Sequence, residues 1–208
     1  MQVERWGVFE TSVKGPSDGN PFLEHSVTAV FVSKNETKKV EGFYDGDGVY
    51  KVRFMPSFEG NYTYTISADF QSESVTGSFE VTSAEDGNHG PMRVVSSYHF
   101  AYEDATPYYS IGTTCYAWAF QDLKLQEQTL ETLKNSPFNK IRFCVFPKYY
   151  EFNTREPISY PFVRGNGEGL KKEAWLKTPL MYQGEEKKES DFNYLYPNVE
   201  HFKHLDKQ

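Results

Sequence analysis

Five sets of residues in this 208-residue chain have types and spacings that could do chemistry. Glu151, Glu156 and Glu168 are carboxylates that could serve as a general acid and base. All three fall in loop-like sequence, where charged side chains are mostly solvated, so surface acids are the plainer reading. Asp45-Gly46-Asp47-Gly48 has the composition of a calcium loop, but an EF-hand needs an oxygen ligand at its fifth position and a glutamate at its twelfth. Val49 and Pro56 stand there, which favours a hairpin turn. Glu200-His201 and His204 put two imidazoles at i and i+3 on a helix; zinc needs further ligands and none is evident, which leaves a solvated helix face. Cys115 and Cys144 are too few for a disulfide framework and read as free, buried thiols. The last set is the aromatic one, 17% of the chain, whose Tyr and Trp rings join a flat apolar face to a polar edge. Such rings suit sheet packing or ligands such as sugars. No GxGxxG, P-loop or Ser-His-Asp pattern occurs, so no cofactor and no metal is expected.

Bulk composition narrows the classes. The net charge of −7, with no basic run, argues against nucleic acid or an anionic membrane as partner. With 38% hydrophobic and 25% charged residues the chain can build a core. The start, Met1-Gln2-Val3-Glu4-Arg5-Trp6, lacks the basic and apolar regions of a signal peptide, and no window approaches 18 apolar residues. A cytoplasmic, globular protein is the expectation.

The elements that must position these residues fall into two stretches. Up to about residue 85 the pattern has a period of two: Tyr50, Val52 and Phe54 alternate with Lys51 and Arg53, and Tyr62, Tyr64, Ile66 and Ala68 with polar neighbours. Trp6–Val13 and Val27–Val32 read as further strands, separated by Gly-, Pro- and Asp-rich turns, which together predict an antiparallel sandwich. Glu59-Gly60-Asn61-Tyr62-Thr63-Tyr64 resembles an immunoglobulin-type tyrosine corner, with Tyr62 as the corner. Gly87–Pro91 reads as a hinge of five residues, too short for a swinging tether. Beyond it come a hairpin, a long apolar strand over Tyr108–Ala117, a helix over Asp122–Lys134 and a strand over Lys140–Phe146 buried on both faces. Strand, helix, strand with short joints predicts a parallel βαβ unit. Residues 163–193 look like a surface loop, and Pro197-Asn198 opens a last helix with Val199, Phe202 and Leu205 on one side.

Trp6–Glu10, Gly15–Phe22 and Gly42–Gly48 resemble the N-terminal sandwich of a bacterial family of glycoside hydrolases. Gly87–Pro91, Gly112–Trp118 and Pro137–Lys148 look like the opening of that family's catalytic (β/α)₈ barrel, of the apiosidase-like and endoglucanase-like kind. The resemblance covers most of residues 3–160, fades over 163–190 and resumes at Asp191–Leu205. It implies an immunoglobulin-like β-sandwich at 1–86 and an incomplete (β/α)₈-barrel segment at 92–208. The family's catalytic carboxylates lie on later barrel strands. A barrel takes about 250 residues, whereas 117 follow Pro91; the expectation is therefore a chain truncated before its catalytic acids, itself without catalytic residues.

Active sites of such barrels sit at the C-terminal ends of the strands. The resemblance thus points to Tyr116, Trp118, Arg142, Lys148 and Tyr150 as residues for binding a carbohydrate substrate. Tyr116 and Trp118 suit stacking on a sugar or, the favoured reading for aromatics, packing beneath the loops. Arg142 matches the arginine that orients a catalytic carboxylate in related barrels, or else makes a structural ion pair. A non-catalytic carbohydrate-binding module and a structural spacer are the alternatives for the sandwich. Exposed aromatics on one sandwich face would favour the first, inward-turned aromatics the second. Open strand edges in a part-barrel further predict self-association.

Overall fold

The computed structural model describes residues 1–145, 157–164 and 192–207, and the chain divides into two compact units, Met1–Tyr109 and Ser110–Gln208. The first contains β1 (Gln2–Glu4), β2 (Phe9–Lys14), a short helix α1 (Pro21–Glu24), β3 (Val27–Val32), β4 (Thr37–Glu41), β5 (Phe43–Tyr44), β6 (Val49–Phe54), β7 (Gly60–Ala68) and β8 (Val75–Thr82). One sheet has the order β1-β8-β7-β3-β4 and the other β2-β6-β5. All pairs are antiparallel except β1 with β8. Their inner faces make a β-sandwich whose core includes Phe9, Ala29, Phe31, Tyr50, Val52, Phe54, Tyr62, Ile66 and Phe79. Two aromatic stacks join the sheets, Phe31 on Phe54 at 4.2 Å and Phe9 on Phe79 at 4.0 Å. The alternation in β6 holds residue by residue, with Tyr50, Val52 and Phe54 buried.

Local chemistry explains the turns. Gly46, Asp47 and Gly48 all have positive φ, and Asp45 N–H donates to the Val49 carbonyl at 2.8 Å. This is the hairpin turn, and the Asp45 carboxylate is engaged by Lys51 at 3.1 Å. Tyr62 is buried; its hydroxyl accepts from Phe58 N–H (3.3 Å), the bond back to upstream backbone that defines a tyrosine corner. The same hydroxyl donates to Glu36 Oε1 at 2.5 Å, and that oxygen also accepts from Ser57 N–H. The strand expected over Trp6–Val13 starts only at Phe9. Trp6 has φ 64°, donates its N–H to the Pro56 carbonyl and lies under the Arg5 guanidinium at 4.0 Å, so the chain turns there. The stretch Gly87–Pro91 is tied into this unit: Asn88 Nδ2 donates to the Arg5 carbonyl, and His89 Nδ1 meets Asp104 at 2.7 Å. β9 (Met92–Val95), β10 (His99–Tyr102) and β11 (Pro107–Tyr108) complete the unit as a small sheet of order β11-β10-β9.

The second unit holds β12 (Gly112–Thr114), a 3₁₀ turn at Trp118–Phe120, α2 (Leu123–Lys134), β13 (Lys140–Arg142), β14 (Phe162–Arg164), β15 (Phe192–Pro197) and α3 (Val199–Asp206). β12 and β13 pair in parallel and β14 and β15 antiparallel. Two expected strands are shorter than the apolar pattern implies. Tyr108–Ala117 is broken between β11 and β12, where Ile111 N–H is taken by the Asn139 side chain at 2.9 Å. Over Lys140–Phe146 only Lys140–Arg142 is strand, and it is not buried on both faces: Lys140 and Arg142 are exposed and Ile141 is half-buried. Phe146 lies outside the described residues. Among the described residues no helix is long and apolar enough to cross a membrane.

Candidate functional site

The parallel register sets Gly112 opposite Lys140, Thr113 opposite Ile141 and Thr114 opposite Arg142. Because strand side chains alternate, Gly112, Thr114, Lys140 and Arg142 share one face, which is exposed, while Thr113 and Ile141 share the half-buried other face. The crossover helix forms where its signals stand. Asp122 caps α2 by accepting Leu125 N–H at 3.0 Å, and Asn135 ends it. The Lys140 stem lies across Gly112: a Cβ there would meet the movable Lys140 Cε at 2.7 Å and the Lys140 carbonyl oxygen at 3.0 Å.

Past the strands the ladder continues, with Cys115 N–H donating to the Arg142 carbonyl (2.8 Å) and Cys144 N–H to the Tyr116 carbonyl (3.0 Å). That places Tyr116 and Arg142 together at the C-terminal ends, the guanidinium carbon 5.4 Å from the ring centroid. Trp118 does not join them. It is 7% exposed, its indole N–H donates to the Gln126 carbonyl at 3.1 Å, and its ring meets Phe143 edge-on at 5.4 Å. Lys148 and Tyr150, with Glu151, Glu156 and Glu168, lie outside the described residues. Cys115 and Cys144 are half-buried free thiols.

A second cluster is built of buried polar groups. Gln126 is fully buried on α2. Its amide nitrogen donates to the carbonyls of Ala119 (3.3 Å) and Gln121 (2.8 Å), leaving Oε1 to meet His204 Nε2 at 2.7 Å. On α3, His201 is 1% exposed, stacks on Phe120 with centroids 5.9 Å apart, and meets Ser159 Oγ through Nδ1 at 2.7 Å. Asn198 caps α3 by accepting His201 N–H and donates to the Tyr160 carbonyl at 2.8 Å. Burial, then the neighbouring His204, lowers the His201 pKa to about 4; the Val145 backbone opposes this without closing a full hydrogen bond on Nε2. The solvated face expected for His201 and His204 is thus corrected: His201 is interior, His204 is half-buried, and Phe202 points outward instead. The i, i+3 spacing marked the pair, but nothing local revealed Ser159 or Gln126 as partners. Ser159 and His201 resemble a nucleophile and base in distance alone, since both are buried from solvent. Among the described residues no group of three metal-ligating side chains occurs.

Comparison with known proteins adds context to this geometry. Residues 2–69 match DUF5060, a domain of unknown function. No curated protein matches the chain. Among solved structures the chain is similar to a putative glycoside hydrolase from Bacteroides vulgatus ATCC 8482, with 37% identity over 99% of this chain and a TM-score of 0.84. The chain spans 38% of that structure's length.

Proposed function

We propose that this chain is the N-terminal part of a glycoside hydrolase. In this reading an immunoglobulin-like sandwich over about 1–86 precedes the opening strands of a (β/α)₈ barrel over about 92–208, and the β12–β13 strand ends form one wall of a carbohydrate site. The observation that carries the reading is the parallel β12–α2–β13 unit with Tyr116 and Arg142 meeting at its C-terminal ends, where barrel enzymes place their sites. The 37% identity to a putative glycoside hydrolase over nearly the whole chain supports it. Tyr116 and Arg142 contact the sugar, and Trp118 packs beneath and holds the segment after β12. The sandwich is a structural module: Phe9, Phe31, Tyr50, Phe54, Tyr62 and Phe79 turn inward, and although Phe43 and Phe58 are exposed, most of the aromatic surface is in the core, which favours this over a carbohydrate-binding face.

Glycosidic cleavage needs two carboxylates about 5–10 Å apart across the bond. Among the described residues no acid stands on the exposed β12–β13 face, so this chain binds a saccharide without cleaving it. Aryl-glycoside and oligosaccharide assays are expected to read background. Hydrolysis that vanishes in Glu151→Gln would overturn this and make Glu151 the acid. Among the described residues the β12–β13 pair has no third strand, and open edges invite pairing; self-association is proposed with it. A clean monomer at high micromolar concentration in sedimentation would remove that part.

A further inference from the structure

We propose that the exposed β12–β13 face binds carboxylate and that the saccharide it takes is an acidic one, bearing uronic-acid groups; this rests on the sugar-wall reading above. The chain carries a net charge of −7, yet this face concentrates two cations and no acid. Lys140 and Arg142, two residues apart on one strand, project from the same side. Neither makes an ion pair among the described residues. Three acids of α2 and α3 are engaged within their own helices: Glu131 with Lys134, Glu200 with Lys203, and Asp122 at its cap.

The chemistry of the donors selects the ligand. Lys and Arg only donate hydrogen bonds, and an ionised carboxylate only accepts them. Neutral sugar hydroxyls can also accept from these donors, but only an anionic carboxylate gains the charge assistance that two cations offer. Arg142 rests beside the Tyr116 ring at 5.4 Å, a cation–π contact that orients the guanidinium and leaves its N–H fork available for bidentate binding of a carboxylate. Lys140 supplies a second, point-like charge, its stem seated over Gly112.

Calorimetric titration of the 208-residue chain with galacturonate, glucuronate and mannuronate trimers tests this, each trimer paired with its methyl ester of the same shape without charge. At least one free acid is expected to bind about tenfold or more tightly than its ester, and binding should weaken with added salt. Arg142→Met should lower that affinity at least about tenfold. Arg142→Lys, which keeps the charge and loses the fork, should lie between, with folding of each variant checked by circular dichroism. If acid and ester bind equally and Arg142→Met changes nothing, the acidic specificity is overturned while the sugar wall stands. If no trimer binds in either form, both fall. Acid-selective binding unchanged in both Arg142→Met and Lys140→Gln overturns this face as the place.

Discussion

The sandwich hides carbon, whereas the second unit hides hydrogen bonds. In the first, interlocking Phe, Tyr, Val and Ile side chains fill the interior. In the second, Gln126, Ser159, Asn198 and His201 are buried alongside Trp118, Ala119, Phe120 and Tyr160. Apolar burial is non-directional and tolerates changes of pH. Buried polar groups are stabilising only while every partner is in place, since each loss strands an unsatisfied group in a low-dielectric interior. The two units should therefore fail in different ways.

The largest effect is expected in the sandwich. Phe31 is fully buried between Phe54, Phe9 and Phe79, so Phe31→Ala should cost about 4 kcal/mol in urea denaturation followed through sandwich resonances. A loss under about 1 kcal/mol would break the comparison, because the core would then not be what holds that unit.

Acid separates the units next. The His201 pKa is lowered to about 4 from its ordinary 6.5, so the unfolded chain binds the proton more readily than the folded one. Stability from neutral His201 is complete above about pH 6.5 and is lost as pH falls towards 4, up to about 3 kcal/mol. The Trp118 indole resonance should report melting of the second unit over this window while sandwich resonances persist. His201→Phe keeps a ring against Phe120 and removes the titration, and should flatten the profile. An unchanged acid response in that variant would assign the effect to other groups.

A smaller effect tests a polar device inside the sandwich. Tyr62→Phe removes the hydroxyl that Phe58 N–H and Glu36 share, while the Ser57 N–H bond to Glu36 remains. The expected cost is about 1–2 kcal/mol in thermal or urea unfolding, with no acid dependence of the His201 kind. A neutral result would mean that water replaces the hydroxyl.

The same contrast explains what was legible in sequence. Strands such as β6 announce themselves because one face is apolar and the other wet, a pattern that one strand carries by itself. The β12–α2–β13 unit was readable from its cap at Asp122 and its stop at Asn135, both local signals. Trp6 was not: a bulky residue with positive φ is held by Pro56 and Arg5, and only tertiary structure supplies those. The buried pairs Gln126–His204 and Ser159–His201 span 78 and 42 residues. A polar residue on a helix reads as solvated until its distant partner is known. At the site, Tyr116 and Arg142 were legible from strand ends, whereas the inward turn of Trp118 depends on the carbonyl of Gln126.

The smallest expected effect sharpens the comparison from the sandwich's wet side. Glu10 on β2 meets Arg53 at 2.6 Å and Lys51 at 2.8 Å on β6, and Lys51 also reaches Asp45. Partial burial pushes the Glu10 pKa up, but hydrogen bonds from Lys51 and Arg53 outweigh this and hold it below the usual carboxylate range. The network's contribution is therefore present at neutral pH and fades as pH falls through that lowered value. Glu10 stays about one-third exposed, so water and salt screen much of the attraction, and Glu10→Gln should cost only about 0.5 kcal/mol. The loss should shrink further in 1 M salt, where the screening length is about 3 Å. Gln126→Leu in the second unit makes the matched measurement. It is a similar change in size, but it strands the Ala119 and Gln121 carbonyls and His204 without their partner, and should cost about 2 kcal/mol independent of salt. Equal losses for the two variants in unfolding titrations would show that burial, and not merely the count of polar contacts, fails to distinguish the two units.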